Sequence, residues 1–234
     1  MEQPRGIYHN AVFYFIALLI GVFLGFWPTY FAVFGQAPGH VHFHGLTMLA
    51  WCGLLIAQAT FIRIGRRDLH RALGKASFLL VPIMALAILS FAQTMLLRDG
   101  PQPQRLYILY LQMQLLTAFL LSYGLAIYNR RQPIVHARFM ICATLPLIDP
   151  FLARVILFYL WEPSNIFHLQ LVTYGVTDLI LVTLMLSNWR RERRLGVFPL
   201  MLPVFMAVQL PNFFVTDWAG WIAFADCFAR LPLP

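Results

Sequence analysis

The chain has little charge and almost no lysine. Of its 234 residues 11% are charged and nine are acidic, and Lys75 is the one lysine among 17 basic residues. An ordinary soluble domain carries about 25% charged residues. A chain without that polar coat cannot cover a globule of this size, which excludes a soluble enzyme and a disordered tail. Cysteine is scarce too. Cys52, Cys142 and Cys227 form no CxxC pair, so a disulfide scaffold is excluded. Cys52 and Cys142 fall in apolar runs and read as small core hydrophobes. With Lys75 in a loop, no late apolar run holds a lysine for a retinal Schiff base. An HxxHH run, a Walker loop, GxSxG and HExxH are all missing.

What is present is apolar: 60% of the residues, against a formal charge of +8. The basic residues stand in short clusters between apolar runs. That pattern points to membrane topology and anionic lipid, and away from nucleic acid. A spanning helix needs about 20 mostly apolar residues. The runs at 11–34, 43–64, 76–97, 106–128, 136–160, 167–189 and 197–216 meet or nearly meet that length. The first is too long for a signal-peptide core and reads as a retained span. Its Gly21 and Gly25 form a GxxxG, which permits close helix approach. The reading is an all-α, polytopic bundle of seven transmembrane helices forming one transmembrane domain over residues 1–234.

Orientation follows from the basic loops. Arg63, Arg66, Arg67, Arg71 and Lys75 lie between spans 2 and 3. Arg130, Arg131 and Arg138 lie around the 4–5 connection, and Arg190, Arg191, Arg193 and Arg194 around the 6–7 connection. The opposite side holds only Arg5, Arg98, Arg105 and Arg230. This predicts an N-out, C-out protein of a bacterial inner (cytoplasmic) membrane. Pro199, Pro203 and Pro211 interrupt the seventh run. Residues 217–230, with aromatics at three- and four-residue steps, suit a short helix in the outer interface.

The histidines fall into layers. His40, His42 and His44 crowd the outer start of span 2, and His168 starts span 6. His70 and His136 mark the inner starts of spans 3 and 5. All lie near helix N-termini, where the helix dipole disfavours imidazolium and leaves the neutral, metal-binding form. His40, His42, His44 and His168 are therefore candidate metal ligands. His70 and His136 are candidate haem ligands, with Arg71 and Arg138 placed to hold propionates or lipid phosphates. On a helix His40 and His44 share a face, whereas in extended chain all three point one way. The plainer alternative is that each imidazole rests at a membrane interface, apolar ring inward and nitrogens wet. Against a pair of haems stands the spacing from His44 to His70, about 39 Å if the helix were continuous, which exceeds a hydrocarbon core of about 30 Å.

Charges within spans form a second constellation. Asp149 and Arg154 are in span 5 and Asp178 is in span 6, about 15 Å from the start of its helix. Such charges are costly unless paired or wet. Arg154 is expected to reach Asp178 across the hairpin, with Asp149 nearby between Pro146 and Pro150. The three read either as a catalytic or proton-handling set or as a buried pair that fixes packing. His44, Trp51 and Gln58, seven apart in turn, share a face of span 2. Gln93, Gln112, Gln114 and Tyr174 add polar tips that line a cavity or bond helix to helix.

His44, Trp51 and Gln58, followed by His70-Arg71-Ala72-Leu73-Gly74, resemble a group of bacterial multi-spanning membrane proteins of unknown function with a W…Q…HRxLG pattern. His136-Ala137-Arg138-Phe139-Met140, followed by Asp149-Pro150 and Arg154, is similar to that group's HxRxM segment. The resemblance covers roughly residues 40–155. It implies a helical membrane protein with histidines in both leaflets and no particular activity.

Three functions are consistent with these residues. One is a membrane redox protein that binds haem b or a transition metal (zinc, copper or iron) through histidine. Another is a membrane enzyme or proton-coupled transporter that works through Asp149, Asp178 and Arg154. The third is an accessory subunit of a larger membrane complex, the reading with which the aromatic C-terminal segment is most compatible.

Overall fold

The computed structural model describes residues 10–99, 102–161, 165–192 and 196–233, and every regular element among them is helical. Arg5, Arg193 and Arg194, which entered the sequence reading, lie outside the described residues. Helix is the form this composition requires. In an apolar surrounding every backbone N–H and C=O must find its partner within the chain. Six helices are long and apolar enough to cross a membrane: Ala11–Phe31, Gly39–Arg63, Ser77–Arg98, Pro103–Tyr128, Pro133–Leu160 and Ile166–Arg190. They point to a membrane-embedded protein in contact with a lipid bilayer. Their many exposed leucines agree, among them Leu79, Leu160 and Leu179, each more than 60% exposed.

The chain divides into two compact units, one running to Thr94 with the last residues of the chain, the other from Met95 to Leu231. In the first unit α1 (Ala11–Phe26) widens into a π turn at Trp27–Phe31, where Pro28 can give no N–H to the helix ladder. It packs on α2 (Gly39–Arg63). The chain then turns at Gly65, whose φ of 76° is the left-handed conformation that suits glycine. It forms the short helix α3 (Arg67–Gly74), which packs back on α2. His70 therefore sits in α3, not at the start of the next span. The continuous helix assumed for the His44–His70 distance does not exist. At the start of α3, Arg66 grips Asp68 with two hydrogen bonds of 3.1 and 2.9 Å. That grip holds the exposed Asp68 carboxyl below its ordinary range, at about 2, chiefly through the bond from Arg66. α4 (Ser77–Asp99) leads out of this unit.

The second unit is built on α5 (Pro103–Tyr128), α6 (Pro133–Thr144), α7 (Ile148–Val155), α8 (Ile166–Glu192), α9 (Phe198–Gln209) and α10 (Ala219–Ala229). Phe139, Cys142, Leu145, Leu181, Phe198, Met201 and Phe205 form its core between α5, α6, α8 and α9. Two of its paths are broken helices. The fifth run passes from α6 through a 3-10 turn at Leu145–Leu147 into α7, and ends in a π turn at Ile156–Leu160. Pro146 and Pro150 supply no N–H across that junction. The seventh run passes from α9 into 3-10 turns at Leu210–Phe213 and Val215–Asp217, with Pro211 at the break. Phe198–Phe213 is thus a shorter apolar helix and not one of the six long ones. The expected final helix forms as α10. It does not lie free, because Trp221 is buried and donates its indole N–H to the Leu106 carbonyl of α5 at 3.0 Å.

Candidate functional site

The densest buried polar arrangement among the described residues lies in the second unit, where the two helix breaks meet α5 and α8. Both breaks pack against α5. Asp149 stands in the first turn of α7 and is 2% exposed. Its Oδ2 accepts from the Gln170 amide and from the Thr173 hydroxyl, the latter at 2.8 Å. Gln170 also donates to Thr173 Oγ1 at 2.9 Å, and its Oε1 accepts from the Tyr107 hydroxyl at 3.1 Å. On the other side Tyr174 takes a hydrogen bond from Gln114 and another, at 3.0 Å, from the Asn212 amide. One set of bonds thus joins Asp149, Gln170, Thr173 and Tyr107, and a second joins Asn212, Tyr174 and Gln114, the two meeting on α8 through the neighbouring residues Thr173 and Tyr174.

Helical spacing explains the α8 contribution. Gln170, Thr173, Tyr174, Thr177 and Asp178 recur at three- and four-residue steps and share one face. Aromatic rings close around the network: Tyr107 meets Phe167 edge-on at 5.6 Å, and Tyr174 meets Phe213 edge-on at 5.9 Å. Two atoms in it stand out. Asp149 Oδ1 and Asn212 Oδ1 are buried acceptors with no hydrogen-bond partner. Both residues are almost inaccessible, Asn212 at 0%. A buried acceptor left unmatched costs about 1–3 kcal/mol, so each calls for an explanation.

Of the charged trio, Arg154 donates to the Pro150 carbonyl at 2.9 Å and lies within electrostatic range of Asp149. Asp178 is half-buried on α8, and its Oδ1, like that of Asp149, is a buried oxygen with no hydrogen-bond partner. The structure therefore makes Asp149 the centre and surrounds it with residues that carried little signal in the sequence. Gln114 and Tyr174 were expected as polar tips. Gln170, Thr173, Tyr107 and Asn212 were not. The signals that mark them are the polar face of α8 and the position of Asn212 beside Pro211.

The histidines distribute between the units. α2 begins at Gly39, so His40, His42 and His44 are helical and fan around the axis. His44 stacks on Phe91 with centroids 4.9 Å apart, and His40 faces the same ring at 6.1 Å. His42 turns the other way, to Phe34 and to the Tyr30 hydroxyl, which lies 3.1 Å from its Nδ1. The extended, single-faced arrangement is excluded. Gly45 makes room for Tyr30, since a Cβ there would fall 2.9 Å from the ring. Elsewhere on α2, Trp51 is fully buried and both ends of the Gln58 amide lack a partner.

In the second unit His168 is exposed in the first turn of α8, where Asn165 caps its backbone N–H at 2.9 Å. His136 is half-buried in α6, with Nδ1 2.8 Å from the Ala126 carbonyl. Arg71 is exposed on α3, and Arg138 is buried, donating to Asn188. Among the described residues no three His, Cys, Asp or Glu side chains come together as a metal site. No protein-family model matches the chain, and no curated protein or solved structure shows significant similarity to it.

Proposed function

We propose that this is a bacterial cytoplasmic-membrane protein that carries out proton-coupled transport, with Asp149 as the group that takes up and releases the proton. The supporting observation is the asymmetry of its carboxyl group. Oδ2 accepts two donors, as a carbonyl oxygen does, while buried Oδ1 has none. That asymmetry favours a neutral carboxyl group over an ionised one, since a neutral oxygen is cheaper to leave unmatched than a charged one. A bare carboxylate in the same place would leave a charged oxygen unsolvated. Release of the proton is provided for. The resulting charge meets the N-terminal end of α7 and lies within range of Arg154. Arg154 is thus the counter-charge of the deprotonated form, and Asp178, one turn beyond Tyr174, is a second proton stop on the same face of α8. We place Phe198–Phe213 as a short seventh crossing, with N-terminus and C-terminus outside and the arginine-rich loops inside.

Infrared spectroscopy of purified protein tests this reading. The C=O stretch of a protonated carboxyl is expected in the wild type, lost as pH rises, and weakened in Asp149→Asn. Wild-type and Asp149→Asn spectra that match at every pH would remove Asp149 from the role.

A second reading is favoured by His136. A backbone carbonyl 2.8 Å from its Nδ1 accepts a hydrogen bond from that nitrogen, which places the proton on Nδ1 and makes Nε2 the nitrogen suited to a metal. In that reading the protein binds haem or a transition metal and carries electrons, with His70, Arg71 and Arg138 as further cofactor contacts. An absorbance spectrum and elemental analysis decide it, since a protein with neither Soret band nor stoichiometric metal is not a haem or metal carrier.

A further inference from the structure

We infer that α3 is a docking surface for anionic phospholipid, with Arg67, Arg71 and Lys75 as the row that holds the headgroup phosphates. This goes beyond the Asp149 reading and stands or falls without it, since it concerns the first unit alone.

Three observations carry it. The first is placement. α3 follows Arg63, the end of one helix long and apolar enough to cross a membrane, and precedes Ser77, the start of the next. A short helix between two such ends lies at the level of the lipid headgroups. The second is how the helix is turned. Leu69, His70, Leu73 and Gly74 are half-buried. Gly74 faces α2, since a Cβ on it would stand 3.6 Å from the Gln58 amide nitrogen. Arg67, Arg71 and Lys75 are exposed and recur at four-residue steps. They lie within about 80° of one another around the axis, in a row about 12 Å long. Lys75 belongs to the row because helical backbone continues through it. The third is the charge balance. Asp68 shares the exposed side and would repel an anion, but both its oxygens are taken by Arg66, at 3.1 and 2.9 Å. No acidic side chain among the described residues pairs with Arg67, Arg71 or Lys75. The row therefore presents uncompensated cations.

The surroundings select lipid among anions. Ile62 and Ile64 stand just before α3 in the chain, and Phe78 and Leu79 just after it, all four exposed. Acyl chains cover such side chains while the headgroup phosphate meets the basic row beside them. A soluble anion satisfies only the cations and leaves the apolar residues bare. The row also suits phosphate chemically. Arginine offers it two parallel N–H bonds, and lysine a point charge.

The test uses purified full-length protein in a zwitterionic detergent, titrated with phosphatidylglycerol. Parallel titrations use phosphatidylcholine with the same acyl chains, and sodium phosphate or polyglutamate as soluble anions. Native mass spectrometry counts bound lipid, and the thermal midpoint is read alongside. Phosphatidylglycerol should bind saturably and raise the midpoint, and phosphatidylcholine at the same concentration should do neither. One basic residue at an anionic surface contributes about fivefold to binding. Lys75→Gln should therefore weaken phosphatidylglycerol about fivefold, and Arg67→Gln with Arg71→Gln together about 25-fold. The matched control removes the same charge elsewhere. Arg130→Gln with Arg131→Gln, both exposed in the turn between α5 and α6, should leave binding nearly unchanged. All these positions are exposed, so the variants keep the fold. Equal losses in the row and control variants would overturn the inference, because they would reduce the effect to net charge. Equal binding of the two lipids would overturn it as well. So would a midpoint that rises as far with phosphate or polyglutamate as with phosphatidylglycerol, since the acyl chains would then contribute nothing.

Discussion

Replacing Thr173 by valine removes a hydroxyl and nearly nothing else, because the two side chains have almost the same volume. Thr173 is completely buried. Its Oγ1 donates to Asp149 Oδ2 at 2.8 Å and accepts from Gln170 Nε2 at 2.9 Å. The substitution deletes one donor to the carboxyl group and strands one N–H of Gln170. Hydrogen bonds between membrane helices average about 0.6 kcal/mol and reach about 1.7. A stranded buried donor costs about 1–3 kcal/mol, offset in part by the added apolar surface. With Asp149 neutral the expected loss is about 1–2 kcal/mol. With Asp149 ionised the lost bond is charge-assisted, roughly twice as strong as a neutral one, and the expected loss rises to about 3 kcal/mol. The difference has a sign in pH: the cost of Thr173→Val is smallest in acid and grows as the proton leaves Asp149. The assay is reversible unfolding in mixed micelles by titration with an anionic detergent, repeated between about pH 5 and pH 9, a range that brackets most perturbed carboxyl groups. Thr177→Val is the control, since Thr177 only bonds back to the Thr173 carbonyl one turn earlier on its own helix. A Thr173→Val cost no larger than that of Thr177→Val, or one independent of pH across the range, would refute the reasoning.

Other substitutions probe separate parts of the structure. Gly196→Ala should cost clearly more than Gly65→Ala. Both residues have positive φ, 69° and 76°, and both variants incur about 1 kcal/mol of left-handed strain. Only at Gly196 would the new Cβ strike neighbours, Asn188 at 2.7 Å and Arg138 at 2.9 Å, while at Gly65 it meets open space. Equal unfolding midpoints for the two variants would contradict the packing described around Arg138. Trp221→Phe removes the indole bond to the Leu106 carbonyl and should lower stability by about 1 kcal/mol, with faster proteolysis after Arg230 as the local readout. Arg66→Gln should return Asp68 from about 2 toward its ordinary value of 3.8, because the guanidinium bond is the main cause of the depression. A depressed carboxyl contributes stability above its unfolded-state value and loses it as pH falls through the folded value. Any effect is therefore confined to pH below about 4, and a carboxyl NMR titration of wild type and Arg66→Gln measures it directly.

The six long spans were legible because lipid leaves the backbone one economical solution, and twenty apolar residues are hard to mistake for anything else. The interruptions were harder to read. Proline positions 146, 150 and 211 marked the breaks, but proline alone does not tell a kink from a change of helix type. So the fifth run, read as one span, is one long apolar path but carries a 3-10 turn between α6 and α7 and ends in a π turn, and the seventh was read as a span though its regular helix stops at Gln209. The short helix α3 was missed for a related reason. Gly65 ends α2 in the midst of basic residues, and a charged stretch reads as loop even when eight of its residues wind into a helix.

The candidate site was half legible for a different reason. Charge inside an apolar run announces itself, so Asp149, Arg154 and Asp178 could be picked out one by one. Partners of such a charge are neutral amides and hydroxyls, which occur throughout helical proteins, and their meeting depends on tertiary packing that no local spacing encodes. Gln170 and Thr173 carry meaning only once α8 is set against the α6–α7 junction. Asn212 carries it only once the turn after α9 reaches Tyr174. The histidines illustrate the same dependence on packing. Three in five residues look like a ligand set, yet a helix starting at Gly39 turns each by about 100°, which sends His40 and His44 to Phe91 and His42 to Tyr30. The two unmatched oxygens of Asp149 and Asn212 each lie where a helix breaks, which neither proline nor charge alone marks in the sequence.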